Sequence, residues 1–294
     1  MRLFITGGSG LLGSKIAEIA LEKGYEVFSG YKTHLPEFGI PVKIDLLDKD
    51  FITAIKEAKP EVVIHSAALT DVDKCEIEKE IAYRINVEAT KIIADFCRKK
   101  GSHLIYISTD YVFDGQKGNY KENDEARPIN YYGYTKFLAE GFCKDFCIAR
   151  TCVIYGSKPA SGKVNFALWL IKNLEEGKEV KVVTDQFITP TLNTNLAKML
   201  LEIAERKLSG IFHLAGAKRV SRYDFAVEIA KAFDLDENLI RKAKMEEMKW
   251  VAKRPRDSSL DVSKAKELLK EKPMSLGESL SELLNELEKF TGNF

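Results

Sequence analysis

Short apolar runs of strand length recur along the first half of the chain: RLFIT (2–6), YEVFSG (25–30), VKID (42–45), EVVIHSAA (61–68), HLIYIST (103–109) and CIARTCVIYG (147–156). Near-continuous apolar runs suit strands that are covered on both faces. The segments between them, 14–23, 51–58, 78–100 and 132–146, space apolar residues by three and four, which puts them on one face of a helix. This alternation predicts an α/β fold built on a doubly wound parallel sheet. Right-handed crossovers then place helices on both faces, and ligands belong at the carboxyl ends of the strands near the switch in strand order.

After residue 157 the rhythm loosens. A helical stretch at 163–176, a strand in VKVVTD, a helix at 192–206, a strand in GIFHLAG and a helix at 221–233 predict a smaller C-terminal α/β lobe for substrate. Charge is dense over 234–256, Arg254-Pro255-Arg256 marks a loop, and helices follow at 263–270 and 276–290. The expected division is a dinucleotide domain over 1–156 and a substrate-binding lobe over 157–294. The boundary is approximate, the chain crosses between the lobes, and a cleft lies between them.

Composition narrows the partners. Forty-five basic and 44 acidic residues leave a formal charge of +1, so no global field gathers nucleic acid or anionic lipid. No apolar stretch approaches the 18 residues of a membrane span, and a first strand at Arg2 leaves no room for a signal peptide. A cytoplasmic location is therefore expected. The five cysteines (Cys75, Cys97, Cys143, Cys147, Cys152) lack CxxC spacing and read as buried reduced thiols. No metal site is assigned.

The segment ITGGSGLLGSKIAEIAL sets Gly7, Gly10 and Gly13 three apart between a strand and a helix. In such a loop the first glycine permits a tight turn, the second lets backbone approach a pyrophosphate, and the third lets helix and strand pack closely. The helix N-terminus adds N–H donors and the positive end of its dipole. These residues, with Leu11 and Leu12, predict a Rossmann-type dinucleotide site. No acid stands at the end of the second strand to accept from a ribose 2′-hydroxyl. Lys32 in SGYKTH suits a 2′-phosphate instead, so NADPH is preferred, with NADH the alternative. Asp45 and Leu46, just past the third strand, are placed to reach the adenine; Asp45 is equally suited to cap a helix.

A second constellation joins Thr109, at a strand end, to Tyr132 and Lys136 of YGYTK. A spacing of four puts the last two on one helical face. A phenol titrates near ~10, and a neighbouring ammonium stabilises its phenolate and draws that value toward neutrality. Thr109 offers a hydroxyl to the same carbonyl oxygen that Tyr132 would protonate.

Taken together, GxxGxxG and Tyr-x-x-x-Lys resemble the extended short-chain dehydrogenase/reductases. HSAALTDVDKCE, INVEAT, STDYVFDG, NYYGYTKFLAE, DQFITPT and RPRDSSLD resemble the dTDP-4-dehydrorhamnose reductase family, over Phe4 to about Leu287. The resemblance implies hydride transfer to the C4 ketone of a nucleotide-linked 4-keto-6-deoxy sugar, as in dTDP-rhamnose biosynthesis. It gives Thr109, Tyr132 and Lys136 the catalytic positions, has Lys136 also bond the nicotinamide ribose, and lines the cofactor groove with Ala67 and Ala68. Bacterial members commonly carry Trp where this chain has Val153, which implies a smaller sugar pocket. The family's magnesium-binding glutamates at a dimer interface have no secure match here; a homodimer is compatible with the sequence.

The same branch contains the methionine adenosyltransferase β subunit, so a non-catalytic NADP-binding role is one alternative, and another sugar-nucleotide epimerase or reductase a second. Sugar-nucleotide dehydratases carry Asp-Glu after the threonine; here Asp110 is followed by Tyr111, which disfavours water elimination. Arg254 and Arg256 are candidates for a substrate diphosphate, because guanidinium forks match phosphate geometry. His65 and His213 read as core histidines, Asp110 as a loop organiser, and Asn86 as a group able to position a water or a carbonyl.

Overall fold

Leu3, Phe4 and Ile5 have no exposed surface because their strand sits inside the sheet, between two parallel neighbours. The computed structural model describes residues 1–159 and 164–291. In chain order the first half runs β1 (Arg2–Thr6), α1 (Leu11–Glu22), β2 (Glu26–Tyr31), β3 (Ile40–Lys43), α2 (Phe51–Ala58), β4 (Val62–His65), α3 (Val72–Ile77), α4 (Lys79–Tyr83), α5 (Ala89–Lys100), β5 (His103–Thr109), α6 (Tyr131–Glu140), β6 (Cys147–Thr151) and β7 (Ile154–Tyr155). The second half runs α7 (Phe166–Glu175), β8 (Val180–Val183), β9 (Phe187–Ile188), β10 (Thr191–Leu192), α8 (Asn193–Arg206), β11 (Gly210–His213), β12 (Val220–Ser221), α9 (Arg222–Ala232), β13 (Ile240–Ala243), α10 (Ser263–Leu268) and α11 (Leu276–Thr291).

Seven strands form one parallel sheet in the order β11-β6-β5-β4-β1-β2-β3, a Rossmann-type arrangement. The order reverses between β1 and β4, so the crevice at their carboxyl ends is the topological switch. One face is covered by α1, α8 and α10 through Leu12, Ile16, Leu196, Leu200, Ile203 and Ala265. The other is covered by α2, α5 and α6 through Phe51, Ile55, Ala89, Ile93 and Ala139. A third apolar cluster joins α7, α9 and α11 around Leu170, Phe225, Ile229 and Leu283. Residues 193–213 return to the first layer: α8 packs along α1, and β11 becomes the edge strand beside β6.

Three stretches differ from expectation, each for a local reason. The helix predicted over 78–100 is divided by a π turn at Arg84–Glu88, and α3 precedes it, capped by the Asp71 side chain. The strand predicted over 147–156 breaks after Thr151, because Val153 adopts a φ of +40° that no strand accommodates. Helix α7 begins at Phe166, capped by Asn165, which accepts from the Leu168 amide; its expected start at Lys163 lies outside the described residues. Among the described residues no helix is long and apolar enough to cross a membrane.

Candidate active site

The glycine loop leaves β1 at Thr6 and enters α1 at Leu11. Gly7 has a φ of +70°, a region L side chains rarely adopt, and its carbonyl accepts from the Gly10 amide at 2.9 Å. A Cβ on Gly13 would stand 2.1 Å from the Gly7 carbonyl oxygen, so only glycine lets α1 sit this close to the turn. The result is a shallow backbone cradle at a helix N-terminus, which suits a pyrophosphate.

A cleft of about 710 Å³ runs from this cradle over the switch point to α6. It is lined by every sequence-predicted cofactor residue: Gly7, Gly10, Leu11, Leu12, Gly13, Lys32, Asp45, Leu46, Ala67, Ala68, Tyr132 and Lys136. Thr109 and Val153 line it as well. At the rim of the cleft Lys32 and Asp45 form an ion pair of 2.7 Å. Burial acts to raise the Asp45 carboxyl, but Lys32, the Leu47 amide and Arg84 together hold it below the usual range. Asp45 also accepts from the Leu47 amide at 3.0 Å, so it caps the turn that follows β3.

Arg254 and Arg256 are not brought into the cleft lining. Arg254 pairs with Asp73 at 3.0 Å and bonds the Ala252 carbonyl; Arg256 is largely exposed, 4.0 Å from Asp185.

Tyr132 and Lys136 lie in the first two turns of α6, and the head of that helix is fixed from three sides. Asn130 accepts from the Gly133 amide at 2.8 Å, Glu76 accepts from the Tyr131 amide at 2.9 Å, and a Cβ on Gly133 would stand 2.1 Å from the Tyr111 carbonyl oxygen. Thr109 ends β5 beside the Tyr132 phenol, donates to Asp110 at 3.1 Å and accepts from the Tyr111 amide at 3.2 Å. Lys136 is buried with its ammonium 4.2 Å from the centre of the Tyr106 ring.

The electrostatics correct one expectation. Burial raises the Tyr132 phenol well above its ordinary value, opposed by the neighbouring Thr109 side chain and reinforced by the nearby Asp110 carboxyl. Lys136 is itself pushed down to about 7 by burial, with Cys143, Glu140 and Cys75 acting the other way. In this desolvated pocket the phenol therefore stays protonated, which is the form a proton donor needs.

Glu140 and Arg150 escaped the sequence reading, whereas Asn86, Asp110 and the two histidines were named by it. Glu140, one turn beyond Lys136, forms a buried two-pronged pair with Arg150 of β6, at 2.9 and 2.7 Å, and accepts from Ser108 at 2.6 Å. Their signal was visible: Arg150 is a lone charge in an apolar strand, and Glu140 shares a helical face with Lys136. Asn86 sits in the π turn, where such turns often mark functional sites. It exchanges hydrogen bonds with both backbone groups of Leu69 and donates to Thr135, tying the loop after β4 to α6. Asp110 is buried and accepts from Ser258 at 2.5 Å and Cys152 at 3.1 Å, which ties the segments carrying those two residues to the end of β5. His65 is held neutral by burial and by the charge of Lys136, with its ring nitrogens bonded to the Thr6 and Thr90 hydroxyls, whereas His213 keeps one ring nitrogen buried without a partner among the described residues.

The chain matches the family model described as RmlD substrate binding domain over residues 1–289. It is 36% identical over 271 residues, 90% of each chain, to the probable low-salt glycan biosynthesis reductase Agl14 of Haloferax volcanii. It is 31% identical to the methionine adenosyltransferase 2 subunit beta of Xenopus laevis, over 91% of this chain and 82% of that one. The crystal structure of dTDP-4-dehydrorhamnose reductase from Bacillus anthracis in complex with NADP superposes with a TM-score of 0.87 at 29% identity, covering 97% of this chain and 99% of that one. The glycine cradle, the long cleft and the Thr–Tyr–Lys set thus belong to a member of the RmlD family, an oxidoreductase that uses NAD(P)H.

Proposed function

We propose that the protein reduces the C4 ketone of a nucleotide-linked 4-keto-6-deoxy sugar, in the manner of a dTDP-4-dehydrorhamnose reductase. The observation that carries this reading is the convergence of Thr109, Tyr132 and Lys136 with the glycine cradle on one cleft. The cradle and the Lys32–Asp45 rim fit a dinucleotide, which when bound supplies the hydride. Thr109 and Tyr132 hold hydroxyls at the same end of the cleft, and rotation of the Thr109 hydroxyl away from Asp110 lets a ketone oxygen becoming an alkoxide accept from both. Tyr132, kept neutral by burial, delivers the proton, and Lys136 bonds the ribose and lends charge beside the phenol. The absence of an acid at Tyr111 supports reduction over water elimination. Val153 in place of a tryptophan supports a sugar pocket of different shape.

The test is the oxidation of NADPH, followed by its absorbance, on addition of dTDP-4-keto-6-deoxy-L-mannose. Wild type should consume the cofactor, and Tyr132→Phe should bind NADPH with unchanged affinity yet lose turnover by about 100-fold or more. Equal rates in the two proteins would overturn the assigned role. The likeness to a methionine adenosyltransferase subunit supports a second reading, as a dinucleotide-dependent regulatory subunit. Tight association with a partner enzyme, without NADPH consumption, would favour it.

A further inference from the structure

The cleft places the reacting groups on two elements that are not adjacent in sequence: Thr109 at the end of β5, and Tyr132 with Lys136 on α6. Their mutual distance depends on how high the helix rides on the sheet. One carboxylate connects all the parts. Glu140, 4% exposed, lies four residues after Lys136 on the same helix. Its Oε1 accepts from Ser108 Oγ at 2.6 Å and from Arg150 Nε at 2.9 Å, and its Oε2 accepts from Arg150 Nη2 at 2.7 Å. Ser108 immediately precedes Thr109, and Arg150 is the register partner of Ser108 on β6. The Arg150 guanidinium stands 5.1 Å from the centre of the Phe113 ring, and its remaining nitrogen, Nη1, is buried without a hydrogen bond among the described residues.

Stability alone explains this poorly. Desolvating a carboxylate and a guanidinium cancels much of their attraction, and apolar residues of similar volume often serve as well. Directional hydrogen bonds give something apolar packing does not: a fixed register between helix and strands. We propose that Glu140 and Arg150 are positioning residues for the reaction, a buried strut that sets α6 against β5 so that the Tyr132 phenol and the Thr109 hydroxyl meet the same oxygen. This deepens the functional reading above and rests on it for the identity of the reaction.

The experiment compares wild type, Ser108→Ala and the double variant Glu140→Leu/Arg150→Met by NADPH oxidation kinetics, thermal melting and crystallography. Ser108→Ala should keep the wild-type melting temperature and lose severalfold in kcat, with KM and NADPH affinity changed by less than about twofold. The double variant should melt close to wild type yet lose 10- to 100-fold in kcat, as expected when reacting groups are misplaced by about 1 Å. In its crystal structure the phenol should have moved away from Thr109. Recovery of kcat together with melting temperature in the double variant would overturn the proposal. So would an unchanged Tyr132–Thr109 contact, whatever the substrate proves to be. A wild type that turns over no keto-sugar would instead sink the functional reading, and the crystal structures would still decide the strut.

Discussion

Replacing Lys136 by methionine should make the ligand-free protein more stable while removing its activity. The lysine is buried, and burial pushes it down to about 7 from an unfolded value near ~10.4. That difference of roughly 3.4 units corresponds to a penalty of at most about 4–5 kcal/mol at pH below 7. That cost is already net of the contact between the ammonium and the Tyr106 ring, so a methionine of similar length should gain a few kcal/mol, about 4 at most, at pH 6. The sign over pH follows from proton counting. Between about 7 and 10 the unfolded chain binds the lysine proton and the folded chain does not, so wild-type stability rises with pH there. The advantage of the variant should accordingly be largest at pH 6 and shrink by pH 9. Urea denaturation of both proteins at pH 6, 7.5 and 9 measures it. A variant less stable than wild type at pH 6, or a difference independent of pH, would refute the picture of a strained lysine kept for its chemistry.

Other outcomes follow from neighbouring parts of the structure. Gly13→Ala sets a methyl 2.1 Å from the Gly7 carbonyl oxygen, so the cradle must open; NADPH affinity should fall at least tenfold and stability by about 1–3 kcal/mol, read by fluorescence titration and thermal melting. Lys32→Ala should weaken NADPH binding by about tenfold and leave NADH within twofold, since only the former carries a 2′-phosphate; equal losses for both would remove Lys32 from cofactor selection. His65 and His213 are each held near 3 by burial, so the unfolded chain binds up to two more protons as pH falls from about 6.5 toward 3. Stability should therefore drop between pH 7 and 5 by up to ~2.7 kcal/mol per unit, and a flat urea midpoint over that range would contradict the neutral buried state.

The parts legible in the sequence are those that a local pattern encodes. β1, α2 and β5 are set by apolar runs or helical spacing with sharp ends, and the structure gives them the expected bounds. The glycine loop was readable because its spacing reflects direct backbone contacts of the kind Gly13 makes with Gly7. What escaped depends on contacts far apart in the chain. Nothing local to Glu140 names Ser108 or Arg150 as its partners, and the division of the 78–100 helix follows from Asn86 reaching Leu69 and Thr135. Val153 holds a left-handed backbone because Thr191 binds the carbonyls on both sides of it: its hydroxyl that of Cys152, and its amide that of Val153 itself. The acidity of Tyr132 was misjudged for the same reason: spacing gives the ammonium as a neighbour, but only the fold shows how far the partly buried phenol and the buried lysine are withdrawn from water.

The most direct measurement follows the hydride itself. NADPH carrying deuterium at the transferring position of nicotinamide C4 is incubated with the protein and a dTDP-linked 4-keto-6-deoxy sugar, and the product is examined by mass spectrometry and proton NMR. One deuterium per turnover at the sugar C4, absent with Tyr132→Phe, is the expected result. Intact cofactor and unlabelled sugar after prolonged incubation of wild type would contradict the account.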